Sequence, residues 1–279
     1  MGFVINNNLA ANNSYRNLNA TQNDLSKSLE KLSTGLRINR AGDDAAGLSI
    51  SEGLKSQVTG SAQAARNAQD GISVIQTAEG GLTEVHSILQ RVRDLAVQAG
   101  NDSNNDEARD AIAAEVDALG KELTRIGDSS NFNTINLLDG SANLTFQVGA
   151  GSSTTNDQIS VDLTGANVKT IGTAITGLVA AGFATSGAAA ASIATIDTNI
   201  ATVSTERSKL GAAQNRLEHT IKTLNVAGEN LQAAQSRIAD VDMAQEMVKF
   251  TKANILSQAG TAMLAQANQS SQGVLSLLR

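Results

Sequence analysis

The sequence predicts a mainly α protein: an elongated rod of long coiled-coil-like helices with a small β-containing tip. Two apolar ladders carry this reading. Ile196, Val203, Leu210, Leu217, Leu224, Leu231 and Ile238 recur every seven residues. Seven residues is close to two helical turns, so these side chains form one seam along a single helix. Ala68, Ile75, Leu82, Leu89 and Ala96 repeat in the same way, with Ala78, Val85, Val92 and Ala99 beside them. Composition agrees: the chain has no proline, and aromatic residues make up 2% of it. Nothing therefore breaks a long helix from within, and the apolar content suits helices packed along their length rather than around a thick core.

Taken in order, Leu18, Leu25, Leu29, Leu32 and Leu36 follow helical spacing and predict a first amphipathic helix over about Asn12–Leu36. The stretch STGLRINRAGDDAAG (Ser33–Gly47) then interrupts it with three glycines. Gly42 and Gly47 are spaced like the glycines of a phosphate-cradling loop, but Leu48 stands where lysine is required, which excludes a nucleotide site. Asp43 and Asp44 are adjacent and so do not converge on one substrate. They suit a helix N-terminus, where carboxylates meet free N–H groups. A second helix follows from about Leu48 to Ala99, with Gly80–Gly81 as a place where one turn loosens. From Leu54 to Ala99 it would extend about 70 Å, against roughly 75 Å for Ala188–Ile238. Gly100 and NDSNND end it and cap a third helix carrying Ile112, Val116, Leu119, Leu123 and Ile126 on one face.

After Asn131 the pattern changes. Short β-branched or alternating runs at Thr134–Leu138, Leu144–Val148 and Ile159–Leu163 predict strands, with a turn at Asp139–Gly140. Residues 170–192, rich in Gly, Ala, Ser and Thr, read as a weakly specified insertion before the last long helix. The expected division is therefore 1–46, a terminal segment; 47–138, rod helices; 139–192, tip and insertion; 193–237, a rod helix; and 238–279, a second terminal segment.

Several function classes are excluded. A net charge of −6 and a pI near 5.0 argue against nucleic acid as a partner. Zero cysteines exclude disulfides and thiolate metal sites. No metal, cofactor or catalytic constellation is legible: His86 is followed by Ser87 and His219 by Thr220, so neither opens an H-E-x-x-H helix. No apolar run is long enough to insert in a membrane, and the opening MGFVINNNLAANNSYRN lacks the basic and apolar regions of a secretory signal. Acidic-to-mixed helices also argue against a membrane-active amphipathic peptide. Both chain ends are poor in bulky apolar residues, while ordering backbone costs about 1–2 kcal/mol per residue. The ends are expected to fold only among several copies of the chain.

The segments KLSTGLRINRAGDDAAGLSISEGL (Lys31–Leu54), QDGISVIQTAEGGLTEVHSILQRVRDLAVQAGN (Gln69–Asn101), LGAAQNRLEHTI (Leu210–Ile221) and VLSLLR (Val274–Arg279) closely resemble bacterial flagellin. The likeness covers about Phe3–Leu138 and Ile193–Arg279, leaving a short middle. It implies a compact flagellin with little or no outer variable domain, a structural subunit of the extracellular flagellar filament. A chain of this kind is exported without a cleaved signal peptide and polymerises through its terminal helices. The hook–filament junction proteins, whose ends are similar, are the alternative. Subunit contacts are then expected at Leu18, Leu25, Leu29, Leu32, Val241, Val248, Ile255, Val274, Leu275, Leu277 and Leu278. Implied partners are the chain itself, an export chaperone at the C-terminal segment, and the filament cap and hook-junction proteins. A Toll-like receptor of a host is a further implied partner, reading Arg91, Leu95, Gln98 and Glu115. An alternative for Leu89, Val92 and Leu95 is packing alone, with Arg91 held in a salt bridge.

Overall fold

The computed structural model describes residues 8–179 and 182–277, with side chains as far as residue 269. Its described elements are α1 (Leu9–Thr34), α2 (Ala45–Ala99), α3 (Asp106–Ser129), β1 (Asn131–Phe132), β2 (Ile135–Asn136), β3 (Asn143–Gln147), β4 (Gln158–Asp162), α4 (Val168–Leu178), α5 (Ser186–Ala239) and α6 (Met243–Leu277). The fold is mainly α, as the two ladders require. The chain divides into two compact units, one of residues 1–56 and 230–279 and one of residues 57–229.

The larger unit holds the buried core. Both α2 ladders are fully inside: Ala68, Ile75, Leu82, Leu89 and Ala96, with Ala78, Val85, Val92 and Ala99, each have no exposed surface. Ile112, Val116 and Leu123 of α3 join them, as do Ile196, Val203, Leu210 and Leu217 of α5. The α5 seam is therefore real but shorter than its sequence: Leu224 and Leu231 are only half-buried. Gly80 and Gly81 do not interrupt α2. A side chain at Gly81 would sit 2.7 Å from Leu138 Cδ1, so this glycine makes room for a core leucine.

The strands form two small antiparallel ladders, β1–β2 and β3–β4, the second pairing Asn143–Gln147 with Gln158–Asp162. Asp139–Gly140 is a bend, with Gly140 at φ 83°, and it does not join paired strands. The tight β1–β2 reversal is at Asn133 and Thr134, which both adopt positive φ (48° and 67°). Two successive positive φ values match the twist of a two-residue hairpin, and asparagine tolerates them better than most residues.

The reading of residues 170–192 as a weakly specified insertion is corrected. Val168–Leu178 is a helix with Val168, Ile171, Gly172 and Ile175 buried, and the side chain of Asn167 accepts a bond from Thr170 N at 2.9 Å. Glycine content misled because it serves packing here. A Cβ on Gly172 would lie 2.9 Å from Gly120 O, and one on Gly127 would lie 2.9 Å from Lys169 N. The glycines let α4 approach the α3 backbone where any side chain would hold it away.

In the smaller unit, α1 begins at Asn8, whose side chain accepts from Ala11 N at 3.0 Å. It ends at Gly35, in the left-handed region at φ 72°, with the Gly35 amide donating to Lys31 O. Both are standard terminators. Asp44 caps α2 as its sequence position suggested, accepting from Gly47 N at 2.9 Å. Asp43 instead braces the preceding turn by accepting from the Asn39 and Arg40 amides, and these bonds (Arg40 first) hold its carboxyl below the ordinary value. The two links between helices, α1 to α2 and α5 to α6, meet in this unit. Arg37 N donates to Ala239 O at 2.7 Å and Val241 N donates to Gly35 O at 3.0 Å, while the Arg37 guanidinium bonds Ile238 O.

Candidate assembly surface

Most of the expected contact residues fall on α1 and α6, which pack along one another in the smaller unit; Val241 precedes α6. The α6 column that faces α1 is Glu246, Ala253, Gly260 and Ala267, spaced by seven. Glu246 and Ala253 are buried at 4% and 8% exposure. A Cβ on Gly260 would touch Leu18 Cδ1 at 3.3 Å, and Asn8 Nδ2 donates to Ala267 O at 2.9 Å. From α1, Leu18, Leu25 and Leu32 are half-buried and Ser28 is buried. Gly260 of α6 thus receives Leu18 of α1, in a close but thin seam.

A buried charge sits in that seam. Ser28 Oγ donates to Glu246 Oε1 at 2.7 Å and Lys249 Nζ to Glu246 Oε2 at 3.0 Å. Burial pushes the Glu246 carboxyl up, but the Ser28 and Lys249 bonds and the Lys249 and Lys31 charges outweigh it. The carboxyl is held below the usual glutamate range. A carboxylate so satisfied is tolerated in a seam that would otherwise reject it.

The large exposed side chains of α6 lie on its other face and along the edge of the seam, where Leu256 and Met263 border α1. Val248 is 68% exposed and Ile255 61%, and Met247, Leu256 and Met263 are exposed beside them. Val241 is half-buried. On α1, Leu29, Tyr15 and Leu9 are also exposed. Met247, Val248, Thr251, Lys252, Ile255 and Leu256 line one continuous groove, and an apolar row of this kind marks an interaction surface. The side chains of Val274, Leu275 and Leu277, and Leu278 entirely, lie outside the described residues.

The second expected site lies in the larger unit. Arg91 donates from Nε (3.0 Å) and a terminal nitrogen (2.7 Å) to Glu115 Oε1, joining α2 to α3 on an exposed face. Gln98 is exposed, and its carbonyl accepts from Asn104 Nδ2 at 2.6 Å. Leu95 does not belong with them: it is 2% exposed, packed with Val92 and Ala96 in the core. Its heptad neighbours point inward, and it follows them.

Sequence reasoning missed the Ser28–Glu246 pair, because a serine and a glutamate far apart in the chain carry no periodic signal. It also missed Met247, Leu256 and Met263. Their spacing from Val248 and Ile255 offered a signal, since 247–255, 248–256 and 255–263 are all steps of eight, which with the step of seven keep to one broad helix face. Among the described residues no group of three or more His, Cys, Asp or Glu side chains could hold a metal ion, and no helix is long and apolar enough to cross a membrane.

The fold and this surface define a class: a structural helical chain whose terminal helices pair thinly and present apolar side chains outward. Comparison with known proteins then gives the family. The model of the bacterial flagellin N-terminal helical region matches residues 5–143, and that of the C-terminal helical region matches 193–278. A flagellin of Halalkalibacterium halodurans is 54% identical over 277 residues, covering 99% of this chain and 100% of its own. One from Bacillus subtilis is 49% identical over 305 residues, covering 99% of each chain. A flagellar filament 33 kDa core protein of Treponema phagedenis is 45% identical over 293 residues, covering 99% of this chain and 100% of its own. The chain belongs to the bacterial flagellin family, and in the short form that the resemblance implied.

Proposed function

We propose that this chain is the structural subunit of a bacterial flagellar filament and that it polymerises through α1 and α6. The outward apolar row of α6 carries the reading: Val248, Ile255 and Met263 are 68%, 61% and 64% exposed. Burying a side chain of this size contributes about 1.5–3 kcal/mol. A single chain leaves that contribution unclaimed, and neighbouring copies supply the missing surface. Family membership supports the same reading, and so does a relative whose name is that of a filament core protein.

The terminal segments 1–46 and 238–279 take their settled packing on assembly. The filament is extracellular, and the chain reaches it without a cleaved signal peptide, with an export chaperone on the C-terminal segment and cap and hook-junction proteins at the filament ends. A host Toll-like receptor reads the exposed face bearing Arg91, Glu115 and Gln98. Leu95 supports that face from beneath. The protein is not an enzyme; its work is mechanical, for motility.

Electron microscopy of purified full-length chain after addition of filament seeds tests the proposal. Intact chain is expected to extend the seeds, and chain lacking its last several residues is expected to stay soluble and helical. Seeds that do not lengthen with intact chain, or lengthen equally with truncated chain, overturn it.

A further inference from the structure

Charge is distributed unevenly between the units. The smaller unit has ten Lys and Arg against eight Asp and Glu; the larger has eleven against nineteen. The positive excess is local. Lys27, Lys31, Lys249 and Lys252 line a groove along the α1–α6 seam, with Asp24 and Glu246 as its own acids. Glu246 is occupied by Ser28 and Lys249. Lys27, Lys31 and Lys252 have no ion-pair partner among the described residues. Lys252 and Leu256 also line the apolar groove alongside, so cations edge the greasy row.

The complementary pattern lies at the α2–α3 turn of the larger unit. Asp94, Asp106, Glu107 and Asp110 are exposed there and have no ion-pair partner among the described residues. Val97, one turn beyond Asp94 near the end of α2, is 52% exposed. A large apolar side chain edged by carboxylates fits an apolar groove edged by lysines.

We infer that the lysine-edged groove of one copy receives the acidic α2–α3 turn of a second copy. The inference rests on the self-assembly proposed above and names one of its contacts. The two surfaces differ, so the contact is heterologous. Such a contact leaves an unfilled groove at one end and an unfilled turn at the other, and it propagates instead of closing. It also sets direction, because only the correct neighbour brings opposite charges together.

Charge exchange tests it in full-length chain. Lys27→Glu with Lys252→Glu reverses two charges of the groove, and Asp94→Lys with Asp110→Lys reverses the two charges of the turn set to meet them. The last two lie outside the first turn of α3, where a lysine would oppose the helix dipole. Melting followed by circular dichroism verifies that each variant folds. Each pair alone is expected to raise the critical concentration for seeded growth about tenfold, and all four together to return it to within about threefold of wild type. Growth of the four-substitution chain no better than that of either pair overturns the contact, as does growth unaffected by the lysine pair. Wild-type chain that extends no seeds overturns self-assembly as well. Binding to phosphatidylglycerol vesicles that the lysine pair abolishes, with growth unchanged, assigns the groove to a lipid headgroup and overturns the inference.

Discussion

Replacing Gly172 by alanine isolates what the α3–α4 contact demands. The added Cβ would lie 2.5 Å from Thr124 Oγ1, 2.7 Å from Thr124 N and 2.9 Å from Gly120 O. The hydroxyl can turn aside, but the amide and carbonyl belong to the α3 backbone and cannot. Helix α4 must then move off α3, loosening Ile171 and Ile175, which are 7% and 0% exposed. Overpacking of this kind costs about 1–3 kcal/mol, and alanine returns at most about 1 kcal/mol of helix propensity. With backbone atoms as the obstacle the upper half of that range applies, giving a net loss of about 1–2 kcal/mol and a fall in Tm of roughly 2–8 °C for a unit of this size. Gly177, in the same helix, has nothing within 4 Å of its would-be Cβ. Its alanine variant is expected to gain up to about 1 kcal/mol. Urea and thermal unfolding by circular dichroism measure both. A Gly172→Ala protein as stable as wild type would refute the argument that these glycines are steric requirements.

Four further outcomes are expected. Ser28→Ala removes one of two donors to a buried carboxylate and should weaken the α1–α6 seam by about 1–2 kcal/mol, read as faster hydrogen exchange in α1. The Glu246 carboxyl is lowered in the folded chain, so its contribution is complete above the ordinary glutamate range and is lost as pH falls through the folded value; α1 exchange should accelerate over that acid window, and Glu246→Gln should flatten the dependence. Leu217→Ala empties a position with no exposed surface and should cost about 2–5 kcal/mol, whereas Leu231→Ala at a half-buried position should cost less, a difference visible in paired urea titrations. Arg91→Ala loses only an exposed ion pair, so stability should change by less than about 1 kcal/mol while receptor reporter signalling by free monomer falls; an undiminished signal would remove Arg91 from the receptor face.

Most of the helical architecture was legible because burial in a long helix leaves a seven-residue rhythm. Every position in the two α2 ladders is inside, and α5 follows its own ladder as far as Leu217. Features without rhythm were lost. Helix α4 was read as part of a weakly specified insertion because its glycines, which permit close approach, look like the glycines of a loop. The hairpin at Asn133–Thr134 was overlooked for the stronger-looking Asp139–Gly140, since only backbone angles separate a strand reversal from an ordinary bend. On α6 two columns spaced by seven exist, and the expected contacts Val248 and Ile255 belong to only one of them. Large Val248 and Ile255 mark the outward one, while small Ala253 and Gly260 mark the one that meets α1.

The paired bonds between Gly35–Arg37 and Ala239–Val241 bind the two interruptions of the helical path into a single joint. A rotation at one strand of that joint strains two backbone bonds unless the other strand turns with it. The beginning and the end of the chain consequently share one pivot, and each copy has one bending freedom there to settle instead of two.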